Sequence, residues 1–82
     1  MIQVLYFASL RERLGCRAEA LSEVPRSVSA LRGQLSARGG VWAEVFAEDQ
    51  RVLVAVNPEM APAEQALNDG DEVGFFPPVT GG

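Results

Sequence analysis

Residues 67–82 read LNDGDEVGFFPPVTGG, and this stretch decides the fold. Asn68-Asp69-Gly70-Asp71 is a tight-turn signal, because Asn and Asp bond their own backbone and Gly accepts positive φ. Glu72–Phe76 then reads as a strand, with Val73 and Phe75 on one face and Phe76 on the other. Pro77-Pro78 stops it, since proline offers no N–H to a ladder and holds the chain extended. A strand placed last must pair with strands laid down earlier, and two candidates stand upstream. Met1–Ala8 (MIQVLYFA) alternates, with Ile2, Val4 and Tyr6 opposed to Gln3, Leu5 and Phe7. Val52–Val56 sets Val52, Val54 and Val56 against Leu53 and Ala55.

Between these strands the pattern changes period. Ser9 is expected to cap a short helix over Leu10–Leu14, with Gly15 as its stop. Arg17–Val24 alternates weakly, as an edge strand does. After Pro25, Ser27 is a helix cap, and Val28, Leu31 and Leu35 share one helical face that Gly39-Gly40 is expected to end. Gly33 inside that helix costs about 1 kcal/mol relative to Ala, so the helix depends on packing. Trp42, Val45 and Phe46 mark a further helical turn, and Pro58–Leu67 reads as a loop. The order β-α-β-α-α-β-β predicts an α+β fold in one domain, residues 1–82, with one main helix on one face of a small mixed sheet.

Gln3 shares a side with Leu5 and Phe7, so Ile2, Val4 and Tyr6 are expected to meet the helix. Leu5, Phe7, Leu53 and Phe76 are left on the opposite face with little chain to cover them. Such an uncovered apolar patch marks a partner surface, unless a loop around Met60 folds over it.

Composition narrows the function. The 82 residues are 48% apolar and 22% charged, an ordinary globular balance. Seven arginines and no lysine face eleven acids, for a net charge of −4. No cationic cluster is present to neutralise phosphates, so a nucleic-acid partner is not expected. An acidic domain of this size suits a protein partner instead. With no histidine and one cysteine, Cys16, the chain has neither imidazole catalysis nor an internal disulfide. Cys16 reads as inert, and Asp69, Asp71 and Glu72 read as turn chemistry and solvated charge, with no resident metal. No apolar run approaches the roughly 20 residues of a membrane helix, and no basic segment opens a secretory signal. A cytoplasmic location and no membrane partner are expected.

The terminus carries the chemistry. Gly81-Gly82 has no Cβ and fits a channel too narrow for side chains. Its α-carboxylate, with a pKa around 3.5, is anionic and a poor electrophile, so reaction at that carbon needs outside activation such as adenylation. The chain holds no GxxxxGK[ST] or GxGxxG loop and no Ser/His or Cys/His pair. It therefore reads as the substrate of another enzyme, not as an enzyme. Residues 77–82 are expected to form a flexible projecting tail.

In its opening MIQVLYFASLRERLG, in RVLVAVN (51–57) and in LNDGDEVGFFPPVTGG, the chain resembles the small sulfur-carrying subunits of molybdopterin synthase, ubiquitin-like carriers with the β-grasp fold. The resemblance spans essentially the whole chain. It implies that a ubiquitin-activating-like adenylyltransferase consumes Mg-ATP to adenylate Gly82, making a transient acyl-adenylate the only nucleotide link. A sulfurtransferase or cysteine desulfurase then makes the terminal thiocarboxylate. The tail, with Pro77, Pro78, Val79, Thr80 and Gly81, enters the large catalytic subunit in an expected heterotetramer. There the sulfur passes to cyclic pyranopterin monophosphate, two being needed for the dithiolene of molybdopterin. Phe7, Met60 and Phe76 fall at apolar contact positions, and Arg11 at a contact for the activating enzyme. The segment Pro58–Pro62 departs from the family in its proline content. The alternatives are a carrier for thiazole, tRNA thiolation or cysteine synthesis, a lysine-conjugated protein modifier, and an interaction module with an idle terminus.

Overall fold

The computed structural model describes residues 1–78; the expected tail beyond Pro78, residues 79–82, lies outside them. Five strands and three helices run in the order β1 (Ile2–Tyr6), α1 (Ala8–Leu14), β2 (Ala18–Leu21), α2 (Val28–Ser36), α3 (Gly40–Val45), β3 (Leu53–Val56), β4 (Glu59–Met60) and β5 (Glu72–Phe76). The sheet order is β2-β1-β5-β3-β4. First and last strands are central neighbours and run parallel, Gln3 opposite Glu72 and Tyr6 opposite Phe75. All other pairs are antiparallel. The α+β mixed sheet is that of a ubiquitin-like β-grasp domain.

One face of the sheet builds the core with the helices. Ile2, Val4, Tyr6, Val73 and Phe75 are buried against Leu31 and Leu35 of α2 and Val45 of α3. Val54 and Val56 join them from β3, as the alternation requires. Tyr6, Phe46 and Phe75 form an aromatic centre, and Trp42 packs beside it with its ring 5.4 Å from that of Tyr6. Burying a phenol is tolerable only if its hydroxyl is bonded. The Tyr6 hydroxyl donates to Glu19 on β2 at 2.7 Å. Arg38 grips both oxygens of Glu19 at 2.8 and 2.9 Å and lies over the Trp42 ring. This chain of contacts clamps the edge strand to the helical layer.

Ser27 caps α2 as expected, its hydroxyl accepting the Ala30 N–H at 3.1 Å. Gly15 ends α1 with φ 64°, also as expected. Three local expectations are corrected. Phe7, not Ser9, precedes α1, and no side chain caps that helix. The first turn instead bonds to the Phe7 carbonyl, which accepts from Leu10 and Arg11. Helix α2 ends at Ser36, before Gly39-Gly40. Gly39 at φ 79° and Gly40 at φ 55° form the corner into α3, a conformation that favours residues without Cβ. Finally, Pro58–Leu67 is not all loop, because Glu59 and Met60 pair with Val56 and Ala55 as β4.

The turn before β5 is held from two sides. Asp71 accepts the Asn68 N–H at 2.8 Å and the Asn57 side-chain amide at 2.9 Å, while Asn57 Oδ1 accepts the Glu72 N–H at 2.8 Å. These bonds, the Asn68 N–H first, hold the Asp71 carboxyl below the usual aspartate range. The amino group of Met1 pairs with Asp69. Among the described residues no helix is long and apolar enough to cross a membrane.

Candidate functional site

The outer face of the sheet follows from the same parity that builds the core. Leu5 and Phe7, Leu53 and Ala55, Gly74 and Phe76 all point away from the helices. Register gathers them: Leu5 lies opposite Gly74, Gly74 opposite Ala55, Ala55 opposite Met60, and Leu53 opposite Phe76. Phe7 is 46% exposed and Met60 61% exposed, the largest apolar side chains offered to solvent apart from Met1. Leu5, Leu53 and Phe76 are half-buried. The segment around Met60 therefore extends the patch at the sheet edge and does not fold over it.

Phe7 owes its position to its backbone. Its N–H donates to the Phe75 carbonyl at 3.0 Å, prolonging the parallel ladder one residue past β1. Ala8 then takes φ 52°, a left-handed corner that costs an alanine roughly 1 kcal/mol. The corner swings α1 to the core side while the Phe7 ring stays on the outer face. That ring lies across Gly74, where a Cβ would stand 2.9 Å from Phe7 Cε2. Its other side meets Phe76 edge-on, with centroids 6.3 Å apart at 74°. A lone glycine inside a strand signals such a close approach. The sequence reading passed over Gly74, whose position between Val73 and Phe75 carried that signal.

Thus Phe7 and Phe76 share one face, as the alternation predicts, and the β4 pairing brings Met60 beside them. Arg11 is exposed on α1, one turn beyond Phe7, and makes no ion pair among the described residues. Pro77 and Pro78 are half-buried and follow Phe76 directly, so the chain leaves β5 at the end of the face that Phe7 and Leu53 occupy. Val79, Thr80, Gly81 and Gly82 lie outside the described residues.

Elsewhere the polar groups hold structure together. Burial first, and the bond to Glu19 second, push the Tyr6 phenol well above its ordinary range. The Arg38 hydrogen bonds draw Glu19 below its ordinary range, and Glu19 in turn raises Arg38. All three are committed to one another. Cys16 is half-buried beside the core, its thiol donating to the Ala18 carbonyl at 3.7 Å. Trp42 and Phe46 belong to the core layer. Among the described residues no group of three metal-ligating side chains is gathered.

What this arrangement offers is an exposed apolar face beside the point where Pro77 and Pro78 follow β5. The sequence pattern of the ThiS family matches residues 4–82. The chain belongs to the ThiS family. It is 45% identical over 82 residues to the molybdopterin synthase sulfur carrier subunit of Escherichia coli (strain K12), and 43% identical to that of Haemophilus influenzae. Each match covers 100% of both chains. Among solved structures, SAMP1 (small archaeal modifier protein 1) from Haloferax volcanii superposes with a TM-score of 0.76 at 29% identity, over 99% of this chain and 98% of the other.

Proposed function

We propose that this ThiS-family chain is a sulfur carrier subunit of molybdopterin synthase. The observation that carries the reading is that Phe75 and Phe76, the first residues of the sequence FFPPVTGG, end the central strand β5, whose exit is flanked by the exposed Phe7 ring. Full-length likeness to two sulfur carrier subunits of that synthase supports it. In this reading the Gly82 carboxylate attacks the α-phosphate of Mg-ATP in a ubiquitin-activating-like adenylyltransferase, releasing pyrophosphate. The terminal sulfur of a persulfide on a sulfurtransferase or cysteine desulfurase then displaces AMP to give an acyl disulfide, and a thiol reductant cleaves its S–S bond to leave the thiocarboxylate. Gly81 and Gly82 enter the large catalytic subunit, where cyclic pyranopterin monophosphate accepts the sulfur. Two charged carriers serve each molybdopterin. The chain contributes binding and presentation, and the large subunit contributes catalysis.

Each residue then has a definite task. Phe7, Phe76 and Met60 are the apolar anchors by which partners grip the face, since desolvated aromatic rings dominate such interfaces. Arg11 supplies a cation to the activating enzyme. Pro77 and Pro78 hold the chain extended so that Val79, Thr80 and the two glycines reach into a channel. The decisive experiment combines intact-mass analysis of protein isolated from cells with reconstitution. The expected mass exceeds the sequence mass by the difference between one sulfur and one oxygen. Mixing the charged protein with the large subunit and cyclic pyranopterin monophosphate should yield molybdopterin, and a charged sample that yields none refutes the assignment.

A protein-modifier role is the second reading, favoured by the likeness to SAMP1. Its mark is a set of high-mass adducts on partner lysines that survive reducing, denaturing electrophoresis.

A further inference from the structure

A cleft of about 300 Å³ opens between α2 and the β3–β4 hairpin, around the sheet edge from the Phe7 ring. We propose that it receives one large apolar side chain of the synthase's large subunit, flanked there by a basic residue. This rests on the sulfur-carrier reading above.

Three observations support it. Leu53 and Met60 line the cleft and also belong to the outer face, so a partner that covers Met60 necessarily meets the cleft mouth. Val28 and Val52 make the interior apolar, and Ala61 and Ala63 keep it open because their side chains are small. The wall opposite is held rigid by Arg32 of α2. Its Nε donates to the Phe46 carbonyl at 3.2 Å, and its Nη2 to the carbonyls of Ala47 and Gln50, both at 2.6 Å. Three of its five N–H donors are thereby committed to backbone carbonyls of the chain itself. A volume at the bottom of the range for small-molecule sites, with few convergent polar groups, fits a side chain better than a polar metabolite.

Charge selects what stands beside that side chain. Glu48 lines the cleft, is exposed, and makes no ion pair or hydrogen bond among the described residues. In a chain of net charge −4, an unpaired carboxylate at the rim of an apolar seat favours a cationic neighbour on the partner.

The test titrates purified large subunit calorimetrically into the full chain and into Ala63→Phe and Glu48→Arg, with melting curves for each. Ala63 contributes only its carbonyl to the fold, accepting the Ser29 N–H at 2.8 Å, so Ala63→Phe fills the cleft without removing a bond. The expected result is unchanged melting, with affinity reduced at least roughly tenfold by Ala63→Phe. Glu48→Arg should weaken binding at low salt and flatten its salt dependence. Native-strength binding by a folded Ala63→Phe overturns the cleft inference while leaving the sulfur-carrier reading in place. Absence of binding by the unaltered chain overturns both. Should Ala63→Phe melt early, Glu48→Arg decides alone, and unchanged affinity at low salt overturns the proposal.

Discussion

Replacing Met60 with Gln isolates binding from folding. Met60 sits on the two-residue edge strand β4 with 61% of its surface in water. Gln keeps the length of the side chain and most of its stem but ends it in an amide. Folding loses little, because substitutions at exposed sites stay within about 0.5 kcal/mol, which is about 2–4 °C in Tm for a domain this small. Binding has more at stake. Fully burying a methionine side chain is worth about 1.5–3 kcal/mol, so the exposed fraction leaves about 0.9–1.8 kcal/mol for a partner to claim. At about 1.4 kcal/mol per decade, Met60→Gln should raise the Kd for the large subunit roughly 4- to 20-fold. Calorimetric titration of both proteins, paired with melting curves, reads both quantities. An unchanged Kd with an unchanged Tm would remove Met60 from the docking face. A large fall in Tm would instead show that its thioether supports the hairpin.

Deleting Gly82 should abolish thiocarboxylate formation and molybdopterin synthesis in reconstitution without moving the Tm, since the core runs only from Ile2 to Phe75. Phe75→Ala, at a fully buried ring, should cost about 3–5 kcal/mol in urea unfolding. The pH profile has two sides. Glu19 and Asp71 sit below their ordinary ranges, so the stability they add is present above about pH 4 and is lost as acid carries the protein through their lowered pKa values. Tyr6 is raised, so its contribution is present below about pH 10 and lost as alkali ionises the phenol. Urea midpoints measured across pH should fall at both ends, and Glu19→Gln should blunt the acid fall.

Some of this was legible because a single period dominated. The alternation of Met1–Ala8 and Glu72–Phe76, with Gln3 as the polar marker of the first strand, assigned the inner and outer faces correctly. Ser27 stood directly before a helical apolar stripe, and Trp42, Val45 and Phe46 carried α3. Hidden features lacked a residue-type signal. The corner at Ala8 has φ 52° without a glycine or asparagine to announce it. It is imposed by tertiary packing, which pins Phe7 to β5 and Leu10 to the core. Strand β4 has two residues, enters from Asn57 at φ 52° and Pro58, and leaves toward Pro62, so punctuation outweighed pattern. Helix α2 stops early because no apolar residue follows Leu35 on its face, and Arg38 turns aside to Glu19. Of the site, the anchors Phe7 and Phe76 follow from parity, whereas Met60 joins them only through the β4 pairing. The cleft beside α2 was out of reach, since it depends on Arg32 meeting carbonyls 14 to 18 residues away.

The parallel pairing of β1 with β5 places a delay inside biosynthesis. Gln3 must wait for Glu72, and at about 5–20 residues per second the ribosome needs roughly 3–14 seconds to supply it. Until then the valine-rich β3 has no central neighbour, and the nascent polypeptide is open to proteases and chaperones. A message truncated before β5 leaves the β1–β2 and β3–β4 pairs with no strand to join them. Only a chain translated through its last strand can join the two strand pairs into one sheet and close the core around Val73 and Phe75.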